Sequence, residues 1–449
     1  MAIHPIDFRY GTPEMKKVWE EETKLQKMLE VEAALALAES ELGMIPKEAA
    51  EEINRKKSTE FVKLERVKEI EMATRHDVVS VVKAFAEQCE GTAGEYIHFG
   101  STSNDIIDTA QSLQFKDAFE VLENKLKILR EELLKKAEEH KNTVCIGRTH
   151  GQHAVPTTYG MKFALWATEI QRHVERLESS KKRLCVSMIT GAVGTMAAIG
   201  ENGILVHKRV GEILELDPVL ISNQVVQRDR HGEFMATLAL IAQTLNKIGV
   251  TVRSMQRSEI KELEEEFDAS KQTGSSTMPH KRNPITFEQI CGLSRIVKAN
   301  ALAEFDNIPL WEERDLTNSS SERCLFPESC VLLDHIINLS IKGMRKLSVN
   351  LENVNKNLEM TKGLIMAERV MMFLANSGMG RQTGHETVRK CAMKAHDEGR
   401  HLKEVLLEEP EVMKYVSLDE IEKMFDYKTY IGLAPEIVEN VLNEAKNWE

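Results

Sequence analysis

The segment from Ser270 to Pro284 carries the densest set of side chains that could do chemistry. It reads Ser-Lys-Gln-Thr-Gly-Ser-Ser-Thr-Met-Pro-His-Lys-Arg-Asn-Pro and lies between two long helical patterns. Asn283 before a proline is typical of an N-cap, so a helix should begin there, with free N–H groups and Lys281 placed to attract an anion. A polar surface loop with ordinary capping is the alternative, but the whole run favours a flexible serine loop hinged to a cationic helix start.

Further polar clusters interrupt the helical patterns. They are Arg9-Tyr10, Thr74-Arg75-His76-Asp77, Gly100 to Asp105, Arg148-Thr149-His150-Gly151-Gln152-His153, Gln224 to Asp229, and Trp311 to Asp315 running on to Ser319 and Arg323. Each has a plain structural explanation: Thr74 as a helix cap, the hydroxyls after Gly100 as an N-cap, a single arginine as a surface charge. Several arginines in irregular breaks of a net acidic protein are better explained as ligands of an anion.

The two histidines of one cluster, His150 and His153, raise the alternative of a zinc site. Such a site needs three or four converging ligands. Neither an H-E-x-x-H pattern nor a cysteine pair accompanies these histidines. The sequence therefore predicts no metal here.

The segment from Ser270 to Pro284 closely resembles the signature of the fumarase/aspartase superfamily, whose members eliminate fumarate from substituted succinates. The cluster around His150 resembles a second signature, and Gly100 to Asp105 resembles the first. The Thr-Arg-His-Asp, Gln-Arg-Asp and Glu-Arg-Asp segments, with the Met-Pro-His-Lys-Arg-Asn-Pro form, are similar to the adenylosuccinate lyase branch. The resemblance extends from Arg9 to the C-terminal helices, and only His153 and Asn318 stand at positions expected to vary.

This resemblance implies roles for individual residues. Ser275, in a mobile lid, would be the general base, and His150 the general acid. His76 would assist at the leaving nitrogen, and Lys281 would stabilise the intermediate. The substrate-binding residues it implies are Arg9 and Tyr10 for phosphate and base, Thr102 and Ser103 for a carboxylate, Gln224, Arg314, Ser319 and Arg323 for the nucleotide, and also Arg75, Asp77, Thr149, Gln152 and Asn283.

The reaction implied is β-elimination of a C–N bond, from adenylosuccinate to AMP and fumarate and from a succinyl-carboxamide ribotide to its carboxamide and fumarate. The dianion formed by removing a C–H next to a carboxylate needs concentrated positive charge. A histidine that titrates near neutral pH suits the acid, whereas a serine base needs water exclusion and loop closure. The scheme requires no metal and no organic cofactor. Alternatives are another superfamily lyase, such as argininosuccinate lyase or a cycloisomerase, and a non-catalytic helical scaffold of the kind found among lens crystallins.

Composition limits the class of protein. The chain has 449 residues and a net charge of −12, which argues against a nucleic-acid-binding surface. Seven cysteines without a C-x-x-C pair, a polar N-terminus and the lack of about 18 consecutive apolar residues predict a cytoplasmic protein with no signal peptide and no membrane span.

The elements that must position these residues are helices, with a loop expected from Gly147 to Pro156 between two of them and a later long helix opened by Pro327. Prolines are absent from Thr157 to Asp217 and from Val219 to Met278, and alternating β-branched runs are few, so we predict a nearly all-α fold. The resemblance implies the three-domain fumarase/aspartase-type fold. We expect an N-terminal helical domain over residues 1–104, a central bundle of long helices over 105–354 and a small C-terminal helical domain over 355–449.

Residues 231–264 show the clearest periodicity in the chain, and the acidic run that begins at Glu262 is expected to end this helix. Their apolar side chains form a heptad seam from Phe234 to Met255, as in helices packed at shallow angles. A helix of about 45 Å exceeds the needs of one compact domain, so we expect other subunits to cover this stripe. The resemblance implies a homotetramer whose sites are shared, with His76, His150 and Ser275 supplied by different chains.

We expect Ser275→Ala to abolish turnover while substrate binding stays largely intact. Loss of the only base should lower the rate by about 10² or more. Steady-state kinetics and substrate binding measured on the same protein check this. Turnover close to wild type would assign the role to Ser276 or to another group.

Overall fold

The computed structural model describes residues 3–266, 277–278 and 280–448. Contacts divide the chain into two compact units, each assembled from three segments. Unit 1 comprises Met1–Lys127, Arg172–Asn246 and Gln289–Leu339, and unit 2 comprises Ile128–Gln171, Lys247–Glu288 and Ser340–Glu449. The division into three domains stays a prediction.

Helices make up most of the described chain, which confirms the predicted all-α class. The N-terminal helices are α1 (Pro5–Phe8), α2 (Pro13–Trp19), α3 (Glu21–Glu41), α4 (Lys47–Lys56), α5 (Leu64–Thr74) and α6 (Asp77–Ala86). The next are α7 (Ser103–Glu139), α8 (Tyr159–Leu184), α9 (Gly203–Leu214), α10 (Asp229–Met255), α11 (Ile285–Phe305) and α12 (Thr317–Lys346). The C-terminal helices are α13 (Leu351–Glu359), α14 (Ala367–Leu374), α15 (Arg381–Glu398), α16 (Leu402–Leu407), α17 (Pro410–Met413), α18 (Leu418–Met424) and α19 (Ala434–Glu444).

The described strands form three short pairs. They are β1 (Val144–Thr149) with β2 (Gln152–Thr158), antiparallel; β3 (Val186–Ser187) with β4 (Asp217–Pro218), parallel; and β5 (Leu263–Glu264) with β6 (Ser348–Val349), antiparallel. The β1–β2 hairpin corrects the sequence interpretation, which placed an irregular loop over residues 147–156. The strand was missed because Val144 to Thr149 is short and has no strict alternation of apolar and polar residues, so it does not stand out beside the long flanking helices.

The heptad seam of α10 lies in the core. Phe234, Leu238 and Ile241 are fully buried, and the seam stays buried as far as Val252. In unit 1, the Phe234 ring packs 5.1 Å from the Phe115 ring and 4.9 Å from the Phe119 ring, both on α7. The prediction that other subunits cover this stripe is therefore wrong, because the chain covers it itself. The helix also ends at Met255 rather than near residue 264.

Two helix starts differ from the sequence interpretation. Helix α12 begins at Thr317, ten residues before Pro327, which was expected to open it. Asp315 makes this earlier start possible, because its carboxylate accepts a hydrogen bond of 2.7 Å from the Thr317 backbone N–H. Helix α11 begins at Ile285, one residue later than the expected proline.

Among the described helices, α10 and α12 are long and apolar enough to cross a membrane by length and composition alone. Each has a window of mean hydropathy 1.3, of which 56% in α10 and 67% in α12 is buried inside the protein. Core helices of globular proteins pass the same test, so this is weak support for a membrane span.

We expect Phe234→Ala to lower the free energy of unfolding by about 3–5 kcal/mol, because it leaves a cavity between α7 and α10. Lys247→Ala, on the same helix but exposed, is the control and should change it by no more than about 1 kcal/mol. Chemical denaturation followed by circular dichroism compares the two. Equal losses would contradict the burial of the seam.

Candidate active site

A cavity of about 340 Å³ in unit 1 brings several predicted site residues together. Asp77, Arg314, Ser319 and Arg323 all line it. The Arg323 guanidinium donates to Asp77 Oδ2 at 2.8 Å, and that of Arg314 donates to Gln224 Oε1 at 3.0 Å. Residues predicted from two separate sequence clusters therefore surround one space.

A buried charge network positions the start of α12 beside this cavity. The Arg228 guanidinium, 3% exposed, donates to Asp108 Oδ2 at 2.9 Å and to Glu322 Oε1 at 2.8 Å. Burial opposes its charge, but the two carboxylates outweigh burial and raise the pKa of Arg228. Nearby on α11, burial and then the Glu322 charge raise the pKa of Glu304 to about 8, so this carboxyl holds a proton at neutral pH.

His76 lies between α5 and α6, where it caps a helix. Arg75 before it takes a left-handed backbone, with φ of +53°, and His76 Nδ1 accepts from the Val79 N–H at 3.3 Å. The expectation that Thr74 is the cap is wrong, because its hydroxyl bonds back to the Ile70 carbonyl within α5. A neutral imidazole that accepts at Nδ1 carries its proton on Nε2, so His76 has a donor to offer a ligand.

Thr102 and Ser103 stand at the start of α7. The side chain that caps this helix is Asp105, which accepts from the Thr102 N–H at 2.9 Å and from the Thr190 N–H at 2.8 Å. Burial raises the pKa of Asp105 to about 6, although its backbone hydrogen bonds oppose the shift. Within the described chain the hydroxyls of Thr102 and Ser103 make no hydrogen bond, which leaves them available to a ligand.

Arg9 and Tyr10 follow α1. The Arg9 guanidinium lies 5.9 Å from the centre of the Tyr10 ring, which in turn lies 5.3 Å from the His335 ring. Neither Arg9 nor Tyr10 lines the cavity of unit 1, and the same holds for Arg75, His76, Thr102 and Ser103.

In unit 2, His150 is exposed at the tip of the β1–β2 hairpin. Thr149 pairs with Gln152, so His150 and Gly151 are the two turn residues, with φ of +53° and +74°. Positive φ at both positions is typical of a type I′ turn, which matches the twist of a two-residue hairpin. Positive φ is uncommon for non-glycine residues, although histidine adopts it more often than most, and the His150 side chain is exposed.

A fully buried carboxylate, that of Glu262, holds this hairpin in place. It accepts from the Arg148 guanidinium at 2.5 Å, from the Tyr159 hydroxyl at 2.6 Å and from the Asn357 amide at 2.8 Å. Burial and the Glu262 charge raise the pKa of Tyr159, which stays a donor. Burial and the Arg148 charge lower the pKa of His153, so this histidine is neutral at pH 7. Glu262 was expected to end α10 in acid; instead it ties together three elements of unit 2.

The helix start beside Lys281 differs from the predicted anion site. The Glu265 carboxylate accepts from the backbone N–H and the hydroxyl of Thr286, in the first turn of α11. The N–H groups expected to be free are therefore occupied by a side chain of the same unit. Lys281 is exposed and Asn283 partly buried, while Ser275 lies outside the described residues.

Sequence reasoning missed two groups that the structure places at these sites. Lys24 lines the cavity of unit 1, although a lysine on a helix carries no sequence signal of its own. Glu262 was assigned to a helix end because its partners lie far away along the chain. Arg228 belongs to the cluster from Gln224 to Asp229, but nothing in that sequence indicated that its side chain is buried.

Known proteins are similar to this chain over its whole length. A family model described as Lyase matches residues 7–298, and one described as Adenylosuccinate lyase C-terminus matches residues 363–441. Proteins named Adenylosuccinate lyase are 73% identical in Methanocaldococcus jannaschii, over 100% of this chain and 97% of that protein, and 60% identical in Methanothermobacter thermautotrophicus, over 100% of both. The one from Bacillus subtilis is 40% identical over 94% of this chain and 96% of its own.

Solved structures share the fold. The 3-carboxy-cis,cis-muconate lactonizing enzyme from Pseudomonas putida superposes with a TM-score of 0.90 at 31% identity, covering 99% of both chains. A fumarate lyase from a Mesorhizobium species gives 0.89 at 30% identity, covering 96% of this chain and 98% of its own. The full-length matches to the sequence, and the model of the C-terminal region, distinguish among these relatives: this chain belongs to the adenylosuccinate lyase family.

Proposed function

We propose that this enzyme cleaves adenylosuccinate to AMP and fumarate, and the succinyl-carboxamide ribotide of purine synthesis to its carboxamide and fumarate. The observation that carries the proposal is the grouping of Asp77, Arg314, Ser319 and Arg323 around one cavity. Guanidinium and hydroxyl groups in one concave site suit the anionic part of a nucleotide. The relative from Methanocaldococcus jannaschii, named Adenylosuccinate lyase and 73% identical, supports the same substrate.

In this proposal Ser275 removes the proton from carbon and His150 gives one to the leaving nitrogen. Placement of His150 on a turn fixed by Arg148 and Glu262 supports its role, because a rigid hairpin keeps the imidazole in one orientation. His76 offers its Nε2 proton as a second donor. Because Glu265 occupies the N–H groups at the start of α11, stabilisation of the dianion is left to Lys281 and Asn283.

We also propose a cytoplasmic homotetramer whose sites combine His76, His150 and Ser275 from different chains. Since the α10 seam is covered internally, the surfaces that support assembly are other faces of the long helices. Large apolar side chains exposed there are Leu240, Ile296 and Leu302 in unit 1 and Leu165 and Val250 in unit 2. Apolar side chains exposed at this density on long helices are typical of subunit interfaces. Seven free cysteines, all within the described part, suit a reducing compartment.

The three-domain division belongs to the same proposal. A separate family model for residues 363–441 supports a C-terminal domain that begins near residue 355. The apolar side chains of that region also form their own core, with Leu374, Leu402, Leu406 and Val412 fully buried in it.

We expect the purified protein to release fumarate from adenylosuccinate and not from argininosuccinate or malate. The cavity in unit 1 provides guanidinium groups that suit the phosphate of a nucleotide, and neither argininosuccinate nor malate contains a nucleotide. Ultraviolet absorbance of fumarate measures all three reactions on one sample. Release from argininosuccinate or malate alone would assign the chain to another activity of the same superfamily.

We expect inactive His150→Asn and Ser275→Ala proteins to complement each other after joint unfolding and refolding in equal amounts. Asparagine is the chosen replacement because it tolerates the positive φ of the turn. Random pairing of chains under closed symmetry gives roughly one site in four with both residues intact. Fumarate release is measured after a tag on one variant has confirmed mixed oligomers. Mixed oligomers without activity would mean that each chain holds its own base and acid.

A further inference from the structure

Two ammonium groups that line the cavity of unit 1, those of Lys24 on α3 and Lys68 on α5, have no role in the proposed function, and only that of Lys24 lacks a partner among the described residues. The other cations that line the cavity have partners. Arg228 is held by Asp108 and Glu322, Arg323 by Asp77, Lys68 by Glu21, and Arg314 by Gln224. Lys24 Nζ has no hydrogen bond and no ion pair with any described residue.

The charges around Lys24 do not explain why a cation is kept there. Arg323 from α12 repels it, while Asp77 from α6, Glu71 from α5 and Glu21 from its own helix attract it without contact. Burial is the largest influence and, with the Arg323 charge, lowers the pKa of Lys24. A partly buried ammonium without a direct partner costs free energy in the free protein, and an anion bound in the cavity would recover it.

The cavity also contains polar atoms that no protein group satisfies. Several of its lining residues, among them Asn104, Gln111, Arg314 and Asn318, have a buried side-chain nitrogen or oxygen without a hydrogen-bond partner among the described residues. Buried polar groups are nearly always hydrogen-bonded in folded proteins, so this concentration indicates a site that a polar ligand or ordered water completes. The unpaired Nε of Arg314 belongs to the same guanidinium that contacts Gln224.

We propose that Lys24 is a phosphate-binding residue of this cavity, where its ammonium joins Arg314, Ser319 and Arg323 in holding the 5′-phosphate of the nucleotide. The assignment rests on the proposed function for the identity of the nucleotide. Lys24 reaches the cavity from α3, whereas the other three residues lie on α12 and in the segment before it. The phosphate would therefore be bound by side chains from separate elements of the fold. Lys24 thereby contributes affinity for substrate and product rather than chemistry.

The proposal predicts how affinity changes with pH. A bound phosphate favours the charged form of Lys24, so binding is tightest while the ammonium keeps its proton and weakens as the pH rises through its lowered pKa. Lys68, at the same cavity, is hydrogen-bonded to Glu21, which raises its pKa and keeps it charged.

The test compares the binding of AMP and of adenosine by isothermal titration calorimetry to wild-type, Lys24→Met, Lys24→Arg and Lys27→Met proteins. We expect Lys24→Met to weaken AMP about tenfold or more and to leave adenosine unchanged, with affinity largely restored in Lys24→Arg. Lys27→Met is the control because it removes the same charge from the same helix, where Lys27 pairs with Asp117 at 3.0 Å outside the cavity. For AMP, the decline from neutral to alkaline pH should be steeper in wild type than in Lys24→Met.

Several outcomes would overturn the assignment. They are AMP binding by Lys24→Met equal to wild type, an equal loss of AMP and adenosine, an effect of Lys27→Met as large as that of Lys24→Met, and no AMP binding by the wild-type protein. Thermal unfolding of each variant confirms that it is folded; if Lys24→Met is not, Lys24→Gln takes its place. A wild-type protein that binds AMP through Lys24 but releases no fumarate from adenylosuccinate would refute the proposed function and leave the phosphate site standing.

Discussion

The buried guanidinium of Arg228 is the interaction on which the nucleotide side of the site depends. It joins Asp108 on α7 to Glu322 on α12, so two long helices are fixed where α10 begins. Loss of the guanidinium would leave the Asp108 and Glu322 carboxylates without a counter-charge in the core, at a cost of about 3–5 kcal/mol. Ser319 and Arg323 flank Glu322 on the same helix, and their positions follow from this bond. Glu262 has the same function in unit 2, where it fixes the hairpin that carries His150.

The two networks explain why the candidate site residues lie at the ends of regular elements. A helix interior satisfies its own backbone and offers a ligand only side chains, whereas an end also exposes polar backbone and tolerates unusual φ. Arg75 and His150 use that freedom, each with a left-handed backbone. At the hairpin, buried hydrogen bonds from Arg148 and Tyr159 to Glu262 hold the end that carries His150 in place.

Much of the fold could be predicted because the apolar residues of long helices recur at helical spacing in the sequence. The buried run from Phe234 to Val252 is the clearest case. What covers that run could not be predicted, since periodicity shows that a face is buried but not by which partner. The hairpin at His150 and the early start of α12 were missed because each depends on contacts distant in sequence or on a single cap. For the site, the resemblance of motifs identified Arg314, Ser319 and Arg323, which line the same cavity. Lys24 could be found only from the fold, because a lysine within a helix belongs to no motif.

Pro327 lies inside α12, and its missing N–H leaves the Arg323 carbonyl without its helical partner. The turns from Thr317 to Phe326 are therefore joined to the rest of the helix by one hydrogen bond fewer than in a continuous helix. Local opening of a segment costs less free energy where such bonds are missing. Amide hydrogen exchange should then divide α12 at this proline, with faster exchange on the side that lines the cavity. A helix built in this way can adjust its ligand-binding turns to an incoming nucleotide without disturbing the part that packs in the core.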